Sequence, residues 1–188
     1  MATRVVRQLT TEELEAGLDE ILGSPADVGT IELIVRRPAE GEREVLAEAT
    51  FDVVEGLVGD NWRARGSKSR PDGTANPEMQ LNVMNARAVD LVAGGDRERW
   101  ALAGDQLYVD LDLSEENLPP GTRLALGTAV IEVTEPPHTG CVKFSARFGV
   151  DAHKFVNAKP YRHLRLRGMC AKVVEPGTFS SGDTIRKL

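Results

Sequence analysis

One cysteine lies in a short loop that is rich in proline, histidine and glycine. Cys141 follows residues 136–140, which include His138, and is followed by Lys143 and Arg147. Nearby positive charge favours the ionised form of a thiol, and the thiolate is both the nucleophile and the soft metal ligand. This spacing predicts a reactive thiol at Cys141 with His138 as its general base. The alternative is a small buried cysteine, with His138 as a neutral polar filler.

Positive charge is concentrated in and after this loop, although the whole chain has a net charge of −6. Residues 1–60 contain 5 basic and 14 acidic residues, whereas residues 141–188 contain 10 basic and 3 acidic residues. The overall acidity argues against nucleic-acid binding, and the local excess of positive charge predicts an anion site. Arginine matches the geometry of phosphate oxygens, and the basic residues of this region include Lys143, Arg147, Arg162, His163 and Arg165.

A second basic segment, residues 63–76, has the sequence RARGSKSRPDGTAN. It is too polar and too interrupted by glycine and proline for a core element, so it is either a solvated surface loop or a lid over an active site. On the second interpretation Arg63 and Arg65 converge with the basic residues near Cys141. We therefore predict that residues 63–70 fold over the Cys141 loop and complete a positive cleft.

Length and composition limit the remaining possibilities. The 188 residues are 41% hydrophobic and 28% charged, as expected for one globular domain. Apolar runs are too short to span a bilayer, and the polar, acidic start is unlike a signal peptide, so we expect a cytoplasmic protein that does not enter the membrane. The second cysteine, Cys170, lies in an apolar strand-like segment, which predicts a core position. Neither cysteine has a partner at the close spacing of a zinc turn.

Short runs rich in valine, isoleucine and leucine alternate with Gly, Pro and Asp turns. This pattern is typical of a barrel or sandwich, and we predict a mainly β, antiparallel barrel with a few peripheral helices. The predicted strands cover residues 30–35, 45–54, 80–84, 106–111, 123–126, 129–134, 163–166 and 169–174.

Three segments have helical signals. Thr10 to Glu13 form a capping-box pattern before Leu14, Leu18, Ile21 and Leu22, which predicts an amphipathic helix of about three turns. Further helices are predicted from Asn85 to Ala93 and from Asp151 to about Lys159. We accordingly divide the chain into an amino-terminal helical appendage, residues 1–28, and a barrel domain, residues 29–188.

The order of several segments around Cys141 resembles the MOSC (molybdenum cofactor sulfurase C-terminal) domain family. The matching pieces span about residues 50–188 and are Gly56 to Asp60, the turn Glu116-Asn117-Leu118, Gly121, Gly127, Cys141, Arg167 to Val173, Gly177, and Gly182-Asp183. The chain departs from the family's Pro-Arg-x-Pro-Cys loop at two positions. His138 stands where the family has arginine, and Gly140 stands where it has proline.

The resemblance implies a β-barrel of the pyruvate-kinase type that binds the molybdenum cofactor, molybdopterin. In the family, the cysteine matching Cys141 is thought to ligate molybdenum or to carry sulfur as a persulfide. That implies a sulfurtransferase or a molybdenum-dependent reductase acting on a small-molecule ligand. Asn117 would belong to the cofactor pocket, although an Asx turn that only ends a strand is an equal alternative.

Pyridoxal phosphate would enter only through a separate enzyme, so the expected protein partners are a cysteine desulfurase or a molybdoenzyme. The competing hypothesis is a barrel without catalytic activity that binds a small anion or serves as an interaction module. In that case Cys141 is buried and inert.

Overall fold

The protein is described from a computed structural model that covers residues 7–68 and 70–188. The short strands predicted from the sequence form most of it. The strands are β1 (Val28–Arg36), β2 (Glu44–Leu46), β3 (Glu48–Asp52), β4 (Gly56–Leu57), β5 (Leu81–Asn85), β6 (Leu107–Asp110), β7 (Arg123–Leu126), β8 (Ala129–Pro137), β9 (Met169–Glu175), β10 (Gly177–Ser180) and β11 (Thr184–Lys187).

Seven of these strands close into a barrel in the order β1, β11, β7, β8, β9, β5, β6 and back to β1. Strand β1 makes the closure possible, because its first residues pair with β11 and its later residues pair with β6 and β2. Strands β10, β3 and β4 form a separate small sheet. The predicted mainly β barrel is thus confirmed.

One pairing differs from a purely antiparallel barrel. Strands β5 and β6 run parallel, with Val83 opposite Leu107. Parallel neighbours need a long crossover, here supplied by helix α4 (Ala86–Ala93) and a 3-10 helix (Arg97–Ala103). The predicted helix over 85–93 is confirmed, and Asn85 caps it by accepting a hydrogen bond from the Ala88 N–H at 3.0 Å.

The chain has two hydrophobic cores, one inside the barrel and one outside it. Alternation along β5 assigns Val83 to the inner core and Met84 to the outer core. The outer core lies between the barrel wall and the helices, and it includes Phe144, Phe148 and Phe155. Burying a phenylalanine side chain contributes about 1.5–3 kcal/mol. These aromatics therefore fix the helices that follow the Cys141 loop.

Two of those helices lie next to the loop: α5 (Val142–Phe148) and α6 (Val150–Asn157). The predicted helix beginning at Asp151 corresponds to α6. It ends at Asn157, and Ala158 is extended (φ −62°, ψ 132°) before a 3-10 helix begins at Lys159. Helix α5 has no counterpart in the prediction and begins directly after Cys141.

The amino-terminal helix is two short helices, α1 (Thr11–Ala16) and α2 (Leu18–Leu22), which meet at Gly17. A Cβ at residue 17 would lie 2.5 Å from a Leu91 side-chain carbon, so a larger residue there would require the Leu91 side chain to move. The predicted capping box is present, and Leu14 and Ile21 are buried in the outer core. The boundary at residue 28 stays a prediction.

Two strand predictions were wrong. Residues 159–164 form a 3-10 helix that begins with Lys159-Pro160, and Arg165 then turns into a left-handed conformation with φ of 50°. Proline suits the start of a helix, and the Arg165 guanidinium anchors this turn by donating to the Leu118 carbonyl at 2.7 Å. The predicted strand over residues 45–54 is interrupted at Ala47 and forms β2 and β3. Among the helices of the described ranges, none has the length and apolar character needed to cross a membrane.

Candidate functional site

Five of the seven predicted site residues line one cavity of about 890 Å³ on the outside of the barrel. Its walls come from the Cys141 loop, helix α5, helix α3 (Trp62–Arg65), residues 37–43 and the end of the parallel crossover. The predicted residues that meet there are Cys141, His138, Lys143, Arg147 and Arg65. Residues far apart in the sequence are thus brought together around an exposed thiol.

Cys141 is exposed and occupies the position before the first residue of α5. Its backbone is extended (φ −105°, ψ 177°), and its carbonyl accepts the Ser145 N–H at 3.0 Å. Phe144 and Phe148 hold α5 in the outer core. The thiol is therefore presented to solvent from a rigid element.

Cys170 has the opposite environment. Its side chain is 0% exposed in β9, and burial, with a further contribution from Asp105, raises the pKa of its thiol to about 12. This agrees with the core position predicted from its apolar segment. At neutral pH, Cys170 is an unreactive thiol.

His138 belongs to a buried network with Asp105 and Arg167. The distance from His138 Nε2 to Asp105 Oδ1 is 2.7 Å, and Arg167 Nη1 donates to both Asp105 oxygens at 2.9 and 2.7 Å. Arg167 Nη2 donates to the Ala103 carbonyl at 2.8 Å, and its guanidinium lies 5.0 Å from the centre of the Phe144 ring. The network thereby connects the Cys141 loop to the barrel wall and to α5.

The charges of this network follow from burial and pairing. Burial by itself would raise the pKa of Asp105, but Arg167 and His138 outweigh it, so the pKa is lowered and the carboxylate is ionised. Burial first, and Arg167 second, lower the pKa of His138. Because Nε2 faces the ionised carboxylate, the neutral imidazole carries its proton on Nε2 and donates a hydrogen bond to Asp105. Nδ1 is then a free base with no hydrogen-bond partner among the residues described.

A second buried ion pair supports the opposite wall. Arg37 Nε and Nη2 donate to the two oxygens of Asp60, each at 2.8 Å, and Arg37 Nη1 donates to the Gly104 carbonyl at 2.9 Å. Asp60 also accepts the N–H of Trp62, the first residue of α3, at 2.9 Å. This pair therefore fixes the start of the helix that carries Arg65.

Several cations in the cavity lack a carboxylate partner. Within residues 7–68 and 70–188, no ion pair involves Arg43, Arg65, Lys68 or Arg147, all of which line the cavity. Desolvation, then Arg37, lowers the pKa of Arg65, and desolvation, then Arg147, lowers the pKa of Arg43. In both cases a neighbouring cation is the second cause of the lowered pKa, which marks a positive potential that an anion would relieve.

Two buried polar atoms near the cavity lack hydrogen-bond partners in the described chain. They are Asn61 Oδ1 and Arg167 Nε, and both residues line the cavity. An unsatisfied buried polar atom costs about 1–3 kcal/mol, and such atoms are rare in native proteins. Because these two atoms are themselves buried, they lie behind the accessible surface of the cavity.

The two other predicted site residues lie elsewhere. Arg63 is exposed, forms an ion pair with Glu55 and does not line the cavity. Asn117 Nδ2 donates to the Ala26 carbonyl at 2.7 Å and to the Asp112 carbonyl at 2.8 Å, while Oδ1 accepts from Lys187 at 2.8 Å. Its amide therefore connects the chain around it to β11. A role of either residue in cofactor binding stays a prediction.

The remaining basic residues are divided among three places. Lys143 pairs with Glu40 at 2.8 Å at the cavity mouth, and both side chains are exposed. Arg162 and Arg165 line a neighbouring cavity of about 510 Å³, which shares His138 and Arg167 with the first. His163 lines neither of these two cavities. From the predicted lid, Arg65 and Lys68 reach the Cys141 cavity, and Ser69 lies outside the described residues.

Sequence reasoning missed the residues that organise the cavity. Asp60 and Arg167 lie in segments with recognisable turns, but nothing in their spacing shows that they form buried ion pairs with Arg37 and Asp105. Lys68 lies in the basic loop, so its charge was a usable signal. Across residues 7–68 and 70–188, no three or more His, Cys, Asp or Glu side chains are grouped to hold a metal ion.

Comparisons with known proteins agree with this architecture. No curated protein matches the chain. Among solved structures, YuaD of Bacillus subtilis is similar over 84% of this chain and 94% of its own, with 18% identity and a TM-score of 0.63. YiiM of Escherichia coli is similar over 85% of this chain and 69% of its own, with 20% identity and a TM-score of 0.53. At these identities the two structures establish a common fold.

The sequence match to a known family is more direct. The MOSC domain model matches residues 70–186, more than half of the chain, including Asp105, Cys141 and Arg167. The cations Arg43, Arg65 and Lys68 come from the segment before the matched residues. With the barrel and the cysteine loop both in place, the chain belongs to the MOSC domain family.

Proposed function

We propose that this protein binds a phosphate-bearing, molybdopterin-type cofactor in the Cys141 cavity, with the Cys141 thiolate as a ligand of molybdenum. One observation carries the proposal: an exposed thiol shares a cavity with Arg43, Arg65, Lys68 and Arg147, none of which has a carboxylate partner in the described ranges. A soft ligand in a cavity with several cations that form no ion pair within the described chain suits a metal centre attached to a phosphate.

The residues present fit such a group. The cavity of about 890 Å³ lies within the usual range of roughly 300–1,000 Å³ for small-molecule sites. Guanidinium groups bind phosphate oxygens in a bidentate manner, and both Arg65 on α3 and Arg147 on α5 line the cavity.

His138 would act as the general base of the site. Its Nδ1 is unprotonated because Nε2 donates to Asp105, and the residue lines the cavity that contains Cys141. It would accept a proton from the Cys141 thiol or exchange one with a bound substrate. The cofactor, when bound, would supply two-electron oxidation and reduction, which is the chemistry that the proposed reductase activity requires.

Sulfur transfer is the second candidate on the same residue. An exposed thiol in the same cavity as His138 suits a cysteine that carries sulfur as a persulfide. The sulfur would have to come from another enzyme, such as a cysteine desulfurase. Treatment of the reduced protein with that enzyme and cysteine, followed by mass spectrometry, would show a 32 Da addition at Cys141 on this candidate, as expected for one sulfur atom.

The anion site is tested by protection of Cys141 from alkylation. We expect molybdate and inorganic phosphate each to slow the reaction of Cys141 with iodoacetamide in a saturable manner, since a bound anion occupies the cavity beside the thiol. Sulfate at equal ionic strength separates anion binding in general from preference for molybdate. If none of the three anions changes the rate, the anion site does not exist and the proposal fails.

A further inference from the structure

The backbone immediately before Cys141 is held by two side chains from helix α6. The Gly140 N–H donates to Asn157 Oδ1 at 2.9 Å. The Gly140 carbonyl lies 3.0 Å from His153 Nε2 and 3.2 Å from Asn157 Nδ2. That carbonyl belongs to the peptide bond that joins Gly140 to Cys141. The contacts therefore act on the backbone that carries the thiol.

Asn157 is itself fixed by the helix. Its Nδ2 also donates to the His153 carbonyl at 2.9 Å, one helical turn earlier. The Asn157 side-chain amide thus accepts one hydrogen bond and donates two, and these three bonds determine its orientation. Phe155 and Val156, between the two side chains in sequence, are buried in the outer core. The position of Gly140 is therefore set by the core through α6.

The same contacts explain why residue 140 is glycine. A Cβ there would lie 2.9 Å from Asn157 Nδ2, 3.2 Å from Val156 Cγ2 and 3.3 Å from His153 Cδ2. The proline that the family loop has at this position would bring both a Cβ and the loss of the N–H that Asn157 accepts. Gly140 and Asn157 are thus mutually dependent, and proline is incompatible with this arrangement.

We propose that Asn157 and His153 are positioning residues that hold the Cys141 thiol beside the cavity cations, in place of the rigidity that a proline gives. The inference rests on the proposed anion site, because positioning matters only if the thiol must face those cations. It assigns a role to two residues outside the cavity that contains Cys141, since both line the neighbouring one.

The test compares a charged and a neutral alkylating reagent of similar size. Iodoacetate is an anion and reacts faster with a thiol held beside cations. Iodoacetamide is neutral, so the electrostatic potential of those cations does not change its rate of reaction in the same way. The ratio of their rate constants at Cys141, divided by the same ratio in the urea-unfolded protein, reports the position of the thiol. A change in global stability does not by itself alter this ratio while the protein stays folded.

We expect an elevated ratio in the wild type and a decrease to nearly the ratio of the unfolded chain in Asn157→Ala, because the thiol would no longer be held beside the cations. His153→Ala should also lower the ratio, and His153→Gln, which retains a donor, should restore most of it. Gly140→Pro should resemble Asn157→Ala. The control is Ser145→Ala in α5, because no side-chain hydrogen bond of Ser145 is found in the described chain.

The possible outcomes separate the two proposals. An elevated wild-type ratio that Asn157→Ala leaves unchanged would overturn the positioning role and leave the anion site intact. A wild-type ratio equal to that of the unfolded chain would overturn both, since the thiol would not face the cations. Equal ratios in His153→Gln and His153→Ala would remove His153 from the proposal. Thermal unfolding of each variant verifies that the protein is folded at the assay temperature.

Discussion

Two arginines that lie two positions apart should contribute unequally to anion binding. Arg63 and Arg65 both belong to α3, but only Arg65 lines the Cys141 cavity. Arg63 points to Glu55 instead and forms an exposed ion pair. Arg65→Ala and Arg63→Ala remove the same charge from the same helix. Any general effect of net charge is therefore equal in the two variants, and the difference between them reports the geometry of the cavity.

The expected magnitude follows from the type of contact. A hydrogen bond to a charged group contributes about 1.5–3 kcal/mol, and the lower end applies because the Arg65 side chain is partly exposed. We therefore expect Arg65→Ala to weaken molybdate or phosphate binding about tenfold. Arg63→Ala should change affinity less than twofold. The lost exposed ion pair should alter the free energy of unfolding by about 0–1 kcal/mol.

The assay measures the rate of Cys141 alkylation at increasing anion concentration. The concentration that halves this rate is determined at two ionic strengths. Wild type and Arg63→Ala should show the same dependence on salt, and Arg65→Ala a weaker one, since one cation no longer contributes. Equal affinities in both variants would show that α3 is not a wall of the anion site. A larger loss in Arg63→Ala than in Arg65→Ala would refute the assignment of the two side chains.

Three further predictions follow from the cysteines and the buried network. At limiting reagent and neutral pH, alkylation followed by peptide mass spectrometry should label Cys141 first, because burial raises the pKa of Cys170 to about 12; preferential labelling of Cys170 would contradict the site. Asp105→Asn should lower the free energy of unfolding, measured in urea, by about 3–5 kcal/mol, because it leaves Arg167 buried without its counter-charge. The control is Asp72→Asn at an exposed position, which should have a small effect. The pKa of His138 is lowered from 6.5 in the folded state, so the unfolded chain binds a proton first as the pH falls. The stability of the wild type should therefore decrease below pH 6.5, and that of His138→Gln should decrease less. An identical pH dependence in the two proteins would exclude His138 as the titrating group.

The sequence predicted those features that depend on local pattern. Strands of alternating or continuous apolar residues between Gly and Pro turns were recognisable, as was the Asn85 cap, because period and capping are properties of neighbouring residues. The cysteine loop was recognisable for the same reason. Cys170 could be assigned to the core because its neighbours Met169 and Ala171 are apolar.

Features that depend on long-range packing could not be predicted. Helix α5 has no side-chain cap at Cys141, and it is stabilised instead by Phe144 and Phe148 in the outer core. The carboxylate of Asp105 is buried only because Arg167, sixty-two positions later, neutralises it. Arg63 and Arg65 have the same residue type and nearly the same position, and the direction of each side chain is set by Glu55 and by the cavity wall. These side-chain directions cannot be predicted from residue type or local spacing.

The proposed binding of a molybdenum cofactor at Cys141 is tested most directly by the molybdenum and pterin content of the protein purified from cells grown with added molybdate, compared with Cys141→Ser. We expect the wild type to contain both in nearly equal amounts and Cys141→Ser to lose most of the molybdenum, because a hydroxyl is a poor substitute for a soft thiolate ligand. Wild-type protein without pterin or molybdenum, or a Cys141→Ser variant with an undiminished content of both, would contradict the claim.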